Sequence, residues 1–245
     1  MRILMCLLFA GFVLSAAAQQ EHHPMKYDKE KMKRYLPSIT RTLGGSFQSF
    51  DGLNARVANL PQYKSLRDYT ATIGLGWLKE MNRFVSDAGI TLSNSLSGHR
   101  DEKSSTIRSI GVNANLGYDV LKDEKITLYP FAGIGFQTWQ AIFHKDNTAV
   151  DFNDVLESPT VEHSIESVKF RNNFLVYRAG VGVLFKSPKY PSSSIGLQAG
   201  YTGSFKKNAW RSNEGQSLGN APTDRISQFY FSVILTSKPR MMMGK

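Results

Sequence analysis

The chain has 245 residues, a net charge of +10 at pH 7, 41% hydrophobic and 20% charged residues, and one cysteine, Cys6. One cysteine excludes a disulfide framework and a cysteine-built metal centre. No stretch of about 18 apolar residues follows the first segment, which excludes a bundle of transmembrane helices, and charge scattered over loops leaves no footprint for nucleic acid.

In chain order, the first element is a targeting segment, residues 1–18. Met1-Arg2 is a minimal basic start, Ile3 to Leu14 is apolar, and Ala16-Ala17-Ala18 fits the small-residue cleavage pattern. About a dozen apolar residues are too few to span a bilayer as a helix. Residues 19–41 read as a periplasmic linker. Its stretch Glu21–Arg41 holds six basic and three acidic residues, a solvated run whose second reading is contact with anionic lipid. Residues 238–245 form a short basic tail with Lys238, Arg240 and Lys245.

Between linker and tail, residues 42–237, eight stretches alternate apolar and polar residues. They are predicted as strands at Thr42–Phe50, Tyr69–Trp77, Phe84–Asn94, Arg108–Val120, Ile126–Ile142, Asn172–Phe185, Ser194–Phe205 and Ile226–Thr236. The gaps at Lys79–Asn82, Lys122–Lys125 and Ser187–Ser193 are short. Those at Asp51–Asp68, Ser97–Ser105, Ala141–Lys169 and Lys206–Asp224 are long. That asymmetry predicts an all-β, eight-stranded antiparallel up-and-down barrel with short turns at one rim and long loops at the other.

The kind of polar residue decides which face meets which medium. In the second stretch Tyr69, Ala71, Ile73, Leu75 and Trp77 share one face, and Thr70, Thr72, Gly74 and Gly76 the other. The eight windows hold only four charges, Asp87, Arg108, Asp119 and Arg178. A water-facing sheet would carry more Lys, Glu and Arg. Gly, Ser, Thr, Asn and Gln suit a narrow packed lumen, and the apolar face is then expected to meet lipid. Trp77, Phe84, Tyr118 and Phe185 are expected at the short-turn interface, and Tyr69, Tyr201 and Phe229 at the long-loop interface.

Leu128-Tyr129-Pro130-Phe131-Ala132-Gly133-Ile134-Gly135 is an aromatic-proline opening of a glycine-spaced strand. With the leader, the strand count and the loop order, it resembles the small outer-membrane β-barrel proteins of the porin-like superfamily that includes outer-membrane proteins A, X and W. The resemblance covers Leu43 to Thr236. It implies a bacterial outer-membrane location after leader cleavage, contact with outer-membrane lipid and lipopolysaccharide, delivery by the barrel-insertion machinery, and a monomer. It implies a structural, adhesive or surface-interaction role with at most small-solute passage. One departure is that Phe229, Phe231 and Leu235 are followed by Ser237 to Lys245, where many such proteins end in an aromatic residue. No peptidoglycan-binding domain is expected after the barrel. The first outer loop contains Phe50 to Val57, read as a short helix with Leu53, Val57 and Leu60 on its buried side.

Asp87 and Arg178 fall on the lumen face and are expected to join a plugging salt bridge or network completed by Asn113, Asn115, Gln137, Gln198, Gln228 and Tyr230. No catalytic residue, cofactor or metal is expected. His22 and His23 are adjacent but weak as a metal site. His144 is a further loop histidine. His99 near Ser97 and Asp101, and His163 near Ser164 and Glu162, are the elements of an alternative reading as a lipid A-modifying hydrolase or acyltransferase. A soluble periplasmic ligand-binding barrel is the third reading. Lys206, Lys207 and Arg211, with Trp210 among them, read as ordinary loop charges or as contacts for lipopolysaccharide phosphates.

Overall fold

The computed structural model describes residues 36–99, 102–187 and 189–238. The leader, His22, His23, Asp101 and most of the linker and tail lie outside the described residues. Eight long strands form the wall: β1 (Ser38–Gln48), β2 (Tyr69–Met81), β3 (Phe84–Gly98), β4 (Ser104–Tyr118), β5 (Ile126–His144), β6 (Val168–Ser187), β7 (Tyr190–Ser204) and β11 (Ser227–Ser237). Helix α1 (Asp51–Ala58) follows β1, and α2 (Phe152–Glu157) and α3 (Pro159–Ile165) lie between β5 and β6. Two-residue strands β8 (Asn208–Ala209), β9 (Arg211–Ser212) and β10 (Thr223–Asp224) lie between β7 and β11.

Every long strand pairs antiparallel with its chain neighbours, and β1 pairs with β11 to close the sheet. Through successive Cα pairs the register runs Ser38, Leu78, Asp87, Asn115, Gly133, Arg178, Thr202, Gln228 and back to β1 at Gln48. One circuit thus advances ten residues along β1. Eight strands with that shear tilt by about 40° around a backbone cylinder of about 8 Å radius, which side chains fill.

The strands run beyond their predicted ends. β1 begins at Ser38, inside the segment read as linker, because Ser38 to Arg41 pair with Leu78 to Leu75. It stops at Gln48, whose N–H turns to the Asp68 carbonyl at 2.7 Å. β3 and β4 pair as far as Gly98 and Ser104, so the second outer connection is short, not long. β5 and β6 pair out to Phe143 and Val168. The β2–β3 turn is a two-residue hairpin with positive φ at Asn82 (48°) and Arg83 (72°), the geometry that matches strand twist. Arg83 occupies this unfavourable backbone region while its Nε and Nη2 donate to the Asp119 carbonyl at 3.0 and 2.6 Å, and its guanidinium lies 4.5 Å from the Tyr118 ring centroid.

Helix α1 forms where the first-loop pattern places it, and it buries Leu53 and Val57. Leu60 is exposed, contrary to the sequence reading, because the helix ends at Ala58 and Leu60 lies beyond the final turn.

Candidate functional site

The outer surface carries an apolar band. Ile73, Leu75, Ile134, Leu116 and Leu197 are each more than half exposed. The polar alternates are turned inward: Thr70, Asn115, Gln198 and Thr202 are buried. The chain is a transmembrane-type β-barrel. Water-facing apolar area of this extent is foreign to soluble monomers, and strand edges within lipid must close as these do.

Aromatic residues border the band. At the long-loop end Phe47 stands opposite both Tyr69 and Phe229. The row continues through Tyr201, 5.1 Å from Phe229, and Tyr177, 6.2 Å from Tyr201. At the short-turn end Trp77, Phe84, Tyr118 and Phe185 are all exposed, with Phe84 edge-on to Tyr118 at 5.5 Å. Tyr69 and Trp77 are eight residues apart on β2, about 27 Å along the strand and about 20 Å along the barrel axis.

Inside, two apolar plugs enclose a polar middle. The short-turn plug consists of Leu78, Val85, Tyr129, Phe131 and Leu184. Outside it, Lys186 Nζ meets Glu80 Oε2 at 2.5 Å. Tyr129 fits because its cross-strand partner is Gly182, where a Cβ would lie 2.3 Å from Tyr129 Cζ. The long-loop plug is larger. Trp139 and Phe174 from the wall pack with Phe50, Leu53 and Val57 of the first loop and helix, and with Trp210 of the last loop. Phe50 holds the centre, edge-on to Trp139 at 5.1 Å and to Trp210 at 5.5 Å.

One carboxylate latches this cap. Phe50, at the N-cap of α1, has no side-chain acceptor, so the N–H groups of the first turn, which lack an intrahelical partner, need one from elsewhere. Asp224 of β10 supplies it, accepting from Gly52 N at 2.7 Å, Leu53 N at 3.1 Å and Trp210 Nε1 at 2.7 Å. Gly52 permits this approach, since a Cβ there would lie 2.5 Å from the Thr223 carbonyl.

Between the plugs is a cavity of about 100 Å³ lined in part by Asp87, Asn113, Gln137, Arg178, Gln228 and Tyr230, room for a few waters only. Gln198 also lines it, and Asn115 is buried beside it. Asp87 and Arg178 share one circuit of the register but take different partners. Asn115 Nδ2 donates to Asp87 Oδ1 at 2.6 Å and to Asn113 Oδ1 at 3.3 Å. The Arg178 guanidinium lies 4.6 Å from the Tyr230 ring centroid. A second chain of bonds runs from Trp139 Nε1 to Gln137 Oε1 (3.0 Å), Gln137 Nε2 to Gln228 Oε1 (3.4 Å) and Gln228 Nε2 to Ser46 Oγ (2.7 Å). Ser46 shares a 2.7 Å bond with the Thr70 hydroxyl. Such connected networks rigidify a narrow interior.

Several residues fall elsewhere than the sequence placed them. Trp210 is 1% exposed; it fills the cap, because its indole N–H reaches Asp224, and does not stand among the surface charges. Ser97 is buried on the inward face of β3, while His99 is exposed. His163 approaches Glu166 at 3.9 Å, and the Ser164 hydroxyl donates to the Val161 carbonyl at 2.7 Å. Asp224 and Trp139 carry no sequence signal as functional residues, since neither belongs to a local motif.

No family model and no curated protein matches the sequence. Solved structures similar to this chain include Ail, the attachment invasion locus protein of Yersinia pestis, at 14% identity over 82% of this chain and 98% of that one, TM-score 0.44. Neisserial surface protein A is similar at 11% identity over 84% and 97%, TM-score 0.42. A major outer membrane protein from Thermus thermophilus is similar at 10% identity over 82% and 98%, TM-score 0.46. These likenesses are low, and the fold stands on the strand register itself.

Proposed function

We propose that the protein is a non-conducting outer-membrane barrel that acts through its long-loop rim and outer wall, in surface interaction or attachment. The observation that carries this reading is the lumen closed at both ends. An apolar cap of loop and wall residues lies above the polar middle, and a second apolar plug lies below it. A barrel so filled offers its outer surface, not its interior, to partners. The leader pattern, the apolar band and the two aromatic borders support the membrane address. In a chain exported by its leader and inserted from the periplasm, the long loops face outward and the short turns face the periplasm. The reading involves no catalytic step.

Planar-bilayer recording with the purified, lipid-reconstituted chain tests the closed lumen. The expected trace shows no stable conductance steps. Reproducible ohmic channels from protein shown to be folded would overturn the reading.

A further inference from the structure

The outer wall carries a polar island on the long-loop side of the apolar band. Asn94, Arg108, Gln140 and Arg171 stand opposite one another in successive ladder pairs across β3, β4, β5 and β6. Arg171 stands in turn opposite Arg211 of β9. By strand alternation these wall residues share parity with the lipid-facing Leu92, Ile110, Phe136 and Leu175, so they point outward. Arg108, Gln140 and Arg171, with His144 and Asn213, line a groove of about 880 Å³. Leu92 and Ile110, about half exposed, form its lower lip, where the apolar band begins.

The charges in this groove are under-compensated. Arg108 uses Nε to donate to Gln140 Oε1 at 2.7 Å, and Gln140 Nε2 donates to Asn213 Oδ1 at 2.5 Å. The Arg108 Nη groups and the Arg171 guanidinium make no hydrogen bond among the described residues. Like charges directly opposite on a ladder, as Arg171 and Arg211 are, destabilise the pair. Glu214 lies at the edge, accepting from Asn213 Nδ2 at 3.4 Å with Lys169 nearby. Arg108 and Arg171 are two strands apart, about 10 Å, a span that long guanidinium side chains close around a bulky anion. Guanidinium forks match phosphate oxygens, and the apolar lip continues into the band where acyl chains lie.

We propose that this groove seats the phosphorylated headgroup of a membrane lipid, its phosphate between Arg108 and Arg171 and its chains running down past Leu92 and Ile110. The inference rests on the membrane placement proposed above.

The test compares the full-length protein with the Arg108→Gln/Arg171→Gln double variant, both reconstituted in zwitterionic vesicles doped with bis-phosphorylated lipid A. Lipid retained after mild detergent extraction is read by native mass spectrometry, and vesicle flotation reports membrane insertion separately. The expected result is retention by the wild-type protein, reduced about 10–30-fold in the double variant, with a Lys206→Gln/Lys207→Gln variant unchanged. Equal retention by the Arg108→Gln/Arg171→Gln variant, or equal retention of the same lipid stripped of phosphate, overturns the proposal. Displacement by millimolar inorganic phosphate also overturns it, because the site then reads a free anion. Loss of flotation in the wild-type protein fails the membrane placement itself, and the groove proposal with it; normal flotation without retention fails the groove alone.

Discussion

Asp224→Ala is expected to open the outer cap while leaving the eight-stranded wall intact. The carboxylate is buried and accepts from two N–H groups of α1 and from the Trp210 indole. Its removal leaves three donors without a partner in an apolar setting, and each such loss costs about 1–3 kcal/mol. Partial relaxation lets some donors reach water, so the expected loss in cap stability is about 3–5 kcal/mol. Amide exchange at Gly52 and Leu53 in lipid-reconstituted protein should accelerate on the order of 10²–10³-fold, while the strands keep their protection. Asp224→Asn should recover little, because an amide turns a donor toward donors. Wild-type exchange at Gly52 and Leu53 in Asp224→Ala would show that the cap is held by packing alone.

Ile73→Arg is expected to destabilise the barrel in lipid by about 2–4 kcal/mol. Ile73 is 55% exposed and lies midway between Tyr69 and Trp77, so its side chain sits at the middle of the band. A guanidinium there meets hydrocarbon with no ion or water to solvate it. The same substitution at Val120, exposed beyond the end of β4 at the short-turn rim, should cost only about 0–1 kcal/mol. Equilibrium urea unfolding from vesicles reads both. If the apolar face met water, Ile73→Arg would be neutral or favourable, so the contrast between the two sites decides the sign of the environment.

The wall was legible in the sequence because its signal is local and repeated. Period-2 alternation in Tyr69–Trp77 and the poverty of charge in the strands specify both the pleat and the medium. Gly52, Asp224 and Trp210 were not legible as a unit, since Asp224 lies more than 170 residues from the helix it caps. Loop charge and loop apolarity look alike whether a side chain points at solvent or back into the lumen. Trp210, flanked by exposed loop residues, shows how a loop composition misleads about direction. The ends of β3 and β4 are hidden in the sequence because Ser95, Ser97, Ser104 and Ser105 read as loop, whereas the ladder continues through them to Gly98 and Ser104 and those serines are buried on it. The outward arginines on β4 and β6 were visible as residues, but their row needed the register, which one-residue errors in strand ends would scramble.

Nitroxide labels walked singly along Tyr69 to Trp77, in protein reconstituted into vesicles, test the inverted barrel most directly. Collision with molecular oxygen should dominate at Ala71, Ile73 and Leu75, peak at Ile73 and fall toward both aromatic ends, while Thr70, Thr72 and Gly74 resist both oxygen and a water-soluble nickel chelate. Ready access of the nickel chelate to Ile73 and Leu75 would contradict a lipid-facing band and with it the inverted barrel.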